Sequence, residues 1–214
     1  MADNYSITLG SPEERINPFH PAWNKYGGYF NLNDFALDFT LEGVVNNQNS
    51  KVALSNYKGK WVILFFYSSN FSFVWPTELA AVAEQHDKFI NLNSEVLAIS
   101  TDSILSHKMF IQTSPSANKI NYPLLSDRNF EISKKYGVFD ENGGYAYRAT
   151  FVIDTEGEIK SYLVYPDSVG RNIDELLRLL EGLQYNQKTS LGVQSGWKPG
   201  DSGIEVGWDH IGKY

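Results

Sequence analysis

In the segment "ILFFYSSNFSFVWPTELAAVAEQH" (Ile63–His86) an apolar run, a Ser/Asn loop and a Pro-led amphipathic stretch follow one another, and the residue just before the proline is Trp75. The pattern predicts a buried strand, a short loop and a helix. The junction between a strand's C-terminal end and a helix N-terminus is where α/β proteins do their chemistry. The positive helix end there favours an anion, so position 75 suits a nucleophile. An indole cannot attack anything. Glu78 falls in the first helical turn, beside the same positive end.

The elements that must position this junction are legible as periodicities. "FALDFTLEGVV" alternates like a strand and turns back through "NNQNS" into "KVALSNY", a hairpin. "KWVILFFY" (Lys60–Tyr67) is a continuous apolar run suited to a strand covered on both faces. In "TELAAVAEQHDKFINLN" the residues Leu79, Val82, Ala83, His86, Phe89 and Ile90 recur at helical spacing. "SEVLAIST" predicts the next strand, "SILSHKMFIQTS" a helix stopped by Pro115, "YPLLSD" a short strand, and "RNFEISKKYGV" a helix ended by Gly137. "YRATFVIDTEGEIKSYLVYP" predicts two antiparallel strands joined at Thr155–Gly157, and "NIDELLRLLEGLQY" a closing helix. The order implies an α/β fold with a mixed central sheet flanked by helices. Residues 1–33 form an Asn-, Pro- and aromatic-rich arm, read either as a strap on its own domain or as a docking arm for another chain. Residues 34–185 make the domain and 186–214 a tail expected to lie along a partner subunit.

Composition removes several chemistries. There is no cysteine, so disulfides, Fe–S clusters, CxxC redox chemistry and thiolate nucleophiles are excluded for the chain as written. A net charge of −7 argues against nucleic acid, which needs a basic stripe. The four histidines, His20, His86, His107 and His210, lie far apart without ligand spacing, so neither a metal nor a cofactor is expected. No apolar run approaches the roughly 20 residues that a membrane span needs. "MADNYSITLG" lacks a basic region followed by an apolar one, and a cytoplasmic setting is expected.

The ordered motifs "FALDFTLEGVV", "KVALSNYKGKWVILFFY", "FSFVWPTEL", "LNSEVLAISTDSILSHKMF", "YPLLSD", "AYRATFVID", "VGRNIDELLRLLEGLQY" and "GWKPGD" closely resemble the typical 2-Cys peroxiredoxins of the alkyl hydroperoxide reductase C type, from about Asp34 to Asp201. The resemblance implies a thioredoxin-like fold and an obligate dimer that often closes into a ring of five dimers. It also implies hydroperoxide reduction, in which a Cys thiolate attacks the O–O bond and a second, resolving Cys captures the sulfenic acid. In the family motif P-x-x-x-(T/S)-x-x-C, Trp75 occupies the peroxidatic Cys position, Ser72 the Thr/Ser and Ser68 the shielding Pro. Arg148 matches the thiolate-activating Arg, Glu78 the Glu of "PTE", and Arg171 a second recurrent Arg. Val193, four residues before Trp197, stands where the resolving Cys belongs. His107 and Phe110 match the family's "SH…W" helix.

Three readings of Trp75 stay open at this level. The protein is a silent paralogue with its nucleophile pocket filled, or a form from which cysteine was engineered away. The third reading is a UGA codon for selenocysteine read as Trp, which would restore an active peroxidase. Bland roles stand beside the chemical ones: Arg148 pairs with Glu78 for packing, Ser72 caps the helix, and Trp197 anchors the tail.

Overall fold

The structure is a computed structural model, and it describes residues 30–213. Apart from its last residues, the 1–33 arm lies outside the described residues. A seven-stranded sheet of order β2-β1-β5-β4-β3-β8-β9 forms the centre. Its strands are β1 (Thr40–Val45), β2 (Gln48–Ala53), β3 (Trp61–Phe66), β4 (Ser94–Ser100), β5 (Leu124–Ser126), β8 (Arg148–Ile153) and β9 (Ile159–Tyr165), with a separate two-residue hairpin of β6 (Phe139–Asp140) and β7 (Tyr145–Ala146). Helices α1 (Trp75–Asn91), α2 (Ile104–Thr113), α3 (Glu131–Lys135) and α4 (Ile173–Thr189) complete the described residues, with short 3-10 turns at Leu54–Tyr57 and Trp208–His210. This is the expected thioredoxin-like α/β arrangement with a mixed sheet.

β3, β4 and β5 run parallel, and β8 joins β3 from the other side antiparallel. The crossovers through α1 and α2 are the βαβ connections that parallel strands demand. β3 is buried along its whole length because helices cover one face and a second apolar layer the other. On the first face Trp61, Ile63, Phe65 and Tyr67 meet Leu79, Val82 and Phe89 of α1 and Leu176, Leu177 and Leu180 of α4. On the second, Val62, Leu64 and Phe66 pack with Phe151, Tyr136 and Ile132. Each of these large residues contributes about 1.5–3 kcal/mol through its burial.

Several local expectations are refined. The first hairpin turns on Asn46 and Asn47 alone, both at positive φ (49° and 63°), so "QNS" belongs to β2 rather than to the loop. The 128–138 stretch yields only the five-residue α3. The Asp127 carboxylate accepts the amides of Ile132 (3.0 Å) and Ser133 (2.7 Å), capping the helix there, and Phe130 sits left-handed at φ 64°. Ile90, read as a buried position of α1, is 44% exposed, because the buried stripe runs through Leu79, Val82, His86 and Phe89 and leaves it on the flank.

The segment after α4 folds back on it. Trp197 is buried, lies tilted against the Tyr185 ring at 5.2 Å and donates its indole N–H to the Asp201 carbonyl at 3.0 Å, and Gly192 bridges Ile204. Trp197 is therefore the packing anchor that its bland reading gave it.

Candidate functional site

The antiparallel register Phe66↔Ala149 places Arg148, the first residue of β8, beside the C-terminal end of β3. The loop after β3 leads into α1, whose first residue is Trp75, one position earlier than the proline start suggested; Val74 is the N-cap and forms no capping bond through its side chain. Sheet and helix thus bring Trp75, Glu78 and Arg148 together. The segment before α4 adds Arg171.

Glu78 is the hub. Its Oε1 accepts the backbone N–H of Arg171 at 2.6 Å and the Arg171 Nε at 3.0 Å, and its Oε2 pairs with Arg148 Nη1. Arg148 also donates through Nε to the Pro166 carbonyl (3.2 Å) and through Nη2 to that of Asp167 (2.9 Å). Arg171 Nη1 reaches the carbonyls of Phe66 and Ala149 (3.0 Å each) and Thr150 Oγ1 (3.1 Å), which closes the ends of β3 and β8. Glu78, Arg148 and Arg171 are all buried. Burial pulls the Arg171 guanidinium down to about 10, against the upward pull of Glu78, so it stays protonated at neutral pH.

Two guanidiniums share one carboxylate, and the surplus positive charge meets Trp75. The indole is only 4% exposed and its ring centroid lies 3.5 Å from Arg148 Cζ, with Arg171 Cζ at 5.5 Å. The negative face of the ring therefore stands where an anion would sit against Arg148, a desolvated cation–π contact of about 2 kcal/mol. Arg148 does pair with Glu78 as the bland reading held, and it faces position 75 as well.

Ser72 lies in the loop just before α1, and Val193 in the segment after α4. The Ser72 hydroxyl donates to the Ser69 carbonyl at 3.3 Å instead of capping α1. Ser68 is buried behind the loop. Val193 packs over α4, where a Cβ on Gly182 would lie 3.4 Å from its Cγ1.

Sequence reasoning missed a polar network under the loop. Asn70 donates its amide N–H to Asp102 Oδ2 (2.7 Å) and its side-chain NH2 to Ser106 Oγ (2.9 Å), and accepts from the Tyr67 hydroxyl (3.0 Å). His107 Nε2 lies 3.2 Å from the Leu125 carbonyl, an obligate acceptor, so Nε2 carries the proton and Nδ1 accepts from its neighbours. The only sequence signal was the clustering of Asn, Asp, Ser and His at strand ends. Arg171, matched only as a second recurrent Arg, carried a signal of its own, since a guanidinium ahead of a helix N-terminus opposes the dipole and calls for a carboxylate.

Burial lowers the His107 pKa from 6.5 to about 4. The unfolded state takes up this proton near 6.5 while the fold resists it until about 4, so its share of stability is intact above 6.5 and is lost as pH falls through that window. The loss is expected to reach about 3 kcal/mol. Denaturant midpoints across the window, compared with those of His107→Gln, should show a visibly flatter acid limb in the variant.

The AhpC/TSA family model matches residues 32–162. The protein is 42% identical over 174 residues to a chloroplastic 2-Cys peroxiredoxin of Spinacia oleracea, covering 79% of this chain and 66% of that protein. It is 38% identical to peroxiredoxin-2 of Mus musculus, covering 84% and 92%. The match thus spans a little under two thirds of the plant protein's length. A crystal structure of reduced Plasmodium vivax 2-Cys peroxiredoxin superposes with a TM-score of 0.79 at 31% identity, over 82% of this chain and 93% of that one. Enterococcus faecalis AhpC gives 0.74 at 38%, over 76% and 98%. Among the described residues no helix is long and apolar enough to cross a membrane. With its thioredoxin-like sheet and an arginine-lined junction at the end of β3, but without cysteine, the chain belongs to the AhpC/TSA family of peroxiredoxins.

Proposed function

We propose that this protein is a peroxidase-silent peroxiredoxin subunit, kept for the assembly that it forms. The observation that carries the reading is the Trp75 ring, buried on the Arg148 guanidinium at 3.5 Å, in a sequence without any thiol. The indole fills the space and compensates the charge that a nucleophilic thiolate would. Ser68 and Val193 have departed from the family pattern with it, so the shield and the resolving position have changed as well as the nucleophile.

Exposed apolar surface supports the assembly half of the reading. Phe71 and Phe73 (98% exposed) on the loop and Leu105 and Met109 of α2 are exposed, and the Phe71 ring meets Phe110 of α2 edge-on at 5.2 Å. β9 is an outer strand carrying exposed Tyr162 and Val164, and an outer strand is a template for a second copy. The tail adds Val206, Trp208 and Ile211. In this reading β9 joins two copies into a homodimer, the tail lies along the partner, the aromatic loop links dimers into a decameric ring, and the 1–33 arm holds a larger assembly. The setting is cytoplasmic. With no thiol, the assembly has no disulfide for peroxide to make or for reductant to break.

The test uses protein purified from its own source. Peroxide consumption, the mass of the peptide carrying residue 75, and light scattering with and without reductant are measured together. The expected result is a Trp mass, no turnover and one reductant-insensitive oligomer. A selenium mass with turnover would make the protein a working selenocysteine peroxidase, and a monomer would remove the structural role.

A further inference from the structure

We infer that Asn142 is a built-in site of spontaneous isoaspartate formation, placed where the change loosens the support of Arg148. Asn142–Gly143 is the only Asn-Gly pair in the sequence. It lies in the exposed turn between β6 and β7, the kind of loop tip where chemical change concentrates. Within that turn the Asn142 N–H is held by Asp140 Oδ1 (3.0 Å) and the Gly144 N–H by the Asp140 carbonyl (2.8 Å). Among the described residues the Gly143 N–H and the Asn142 side-chain amide have no hydrogen-bond partner. The reacting nitrogen and the reacting carbonyl carbon are both free.

The packing of the turn favours the glycine that makes the pair labile. A Cβ at position 143 would lie 2.3 Å from Tyr145 Cε1 and 2.8 Å from Asp140 Oδ2, so a larger residue would have to push the Tyr145 ring and the Asp140 carboxylate aside. Other asparagines are restrained: Asn49 is paired in β2, and the Asn93 side-chain NH2 donates to the Gly59 carbonyl at 3.0 Å.

In the reaction the Gly143 nitrogen gives its proton to water and attacks Asn142 Cγ. A bond forms between that backbone nitrogen and Cγ, the Cγ–Nδ2 bond of Asn142 breaks, and ammonia leaves with the proton it needs. Water then opens the cyclic imide at either carbonyl, giving aspartate or isoaspartate. No oxidant or reductant takes part.

The product places a new carboxylate next to Asp140 and Glu141, and isoaspartate lengthens the turn by one backbone carbon. The Gly144–Asp140 bond cannot span the longer turn. Tyr145 follows it, and Tyr145 donates its hydroxyl to Asp167 Oδ2 (3.2 Å), whose own carbonyl holds Arg148 Nη2 (2.9 Å).

The experiment ages purified protein at mildly alkaline pH and physiological temperature, beside Asn142→Gln, and maps isoaspartate by fragmentation mass spectrometry. Asn142 is expected to convert about tenfold faster than Asn49 or Asn93, a difference of about 1.4 kcal/mol in barrier. Amide exchange at Tyr145–Arg148 should quicken in the aged protein and not in aged Asn142→Gln. An intact Asn142 while Asn49 or Asn93 converts would overturn the site. Equal quickening in both aged proteins would overturn its link to Arg148.

Discussion

Replacing Glu78 by Gln is expected to destabilise the fold by about 4 kcal/mol, within the range measured when one partner of a buried ion pair is removed. Three bonds from Arg171 and one from Arg148 end on this carboxylate. An amide can still accept the Arg171 N–H through its oxygen, but its NH2 then faces Arg148, donor against donor. Two buried guanidiniums would be left without a counter-ion. Urea unfolding reads the loss directly, and a loss under about 1 kcal/mol would mean that water or the Trp75 face already compensates the charge. The comparison variant is Glu175→Gln. Glu175 is paired with Arg178 at 2.6 Å but is half exposed, and its loss should cost under about 1 kcal/mol.

The contrast between these two carboxylates shows what the sequence could and could not reveal. Both are Glu in the first turn of a 17-residue helix, and both favour the helix dipole. Only the strand register, which sets Arg148 at the end of β3, makes one a hub and the other a surface pair. Buried strands announce themselves through unbroken apolar runs such as "WVILFF", and α4 through its leucine spacing, because those signals depend on near neighbours in sequence. The family motifs carried the site further than periodicity could, naming Trp75, Glu78 and Arg148 before any geometry was known. Those residues do meet. Val193 and Ser72 were named the same way; within the chain Val193 packs on Gly182 and the Ser72 hydroxyl donates to the Ser69 carbonyl. The α3 boundary and the Asn70–Asp102–His107 network were illegible for a physical reason. Each depends on hydrogen bonds between residues whose approach is fixed only by the assembled sheet.

The other large effect is expected at Trp75 itself. Trp75→Ala should cost about 4 kcal/mol, since truncating a buried aromatic leaves a cavity that the surroundings fill only in part. Trp75→Phe keeps a ring over Arg148 with a weaker quadrupole and less area, and about 2 kcal/mol should suffice for it. The two variants separate packing from charge compensation when each is titrated with chloride or sulfate. In Trp75→Ala the cavity lies against Arg148 and the positive end of α1, so a small anion should enter and restore part of the lost stability. In Trp75→Phe the space is occupied and added anion should do no more than it does for the unaltered protein. Thermal melts at constant ionic strength, with the anion exchanged for a bulkier one, read this difference. If Trp75→Ala gains nothing over Trp75→Phe, the surplus charge of Arg148 and Arg171 is already met by the carbonyls of Phe66, Ala149, Pro166 and Asp167, and the indole is there for volume alone.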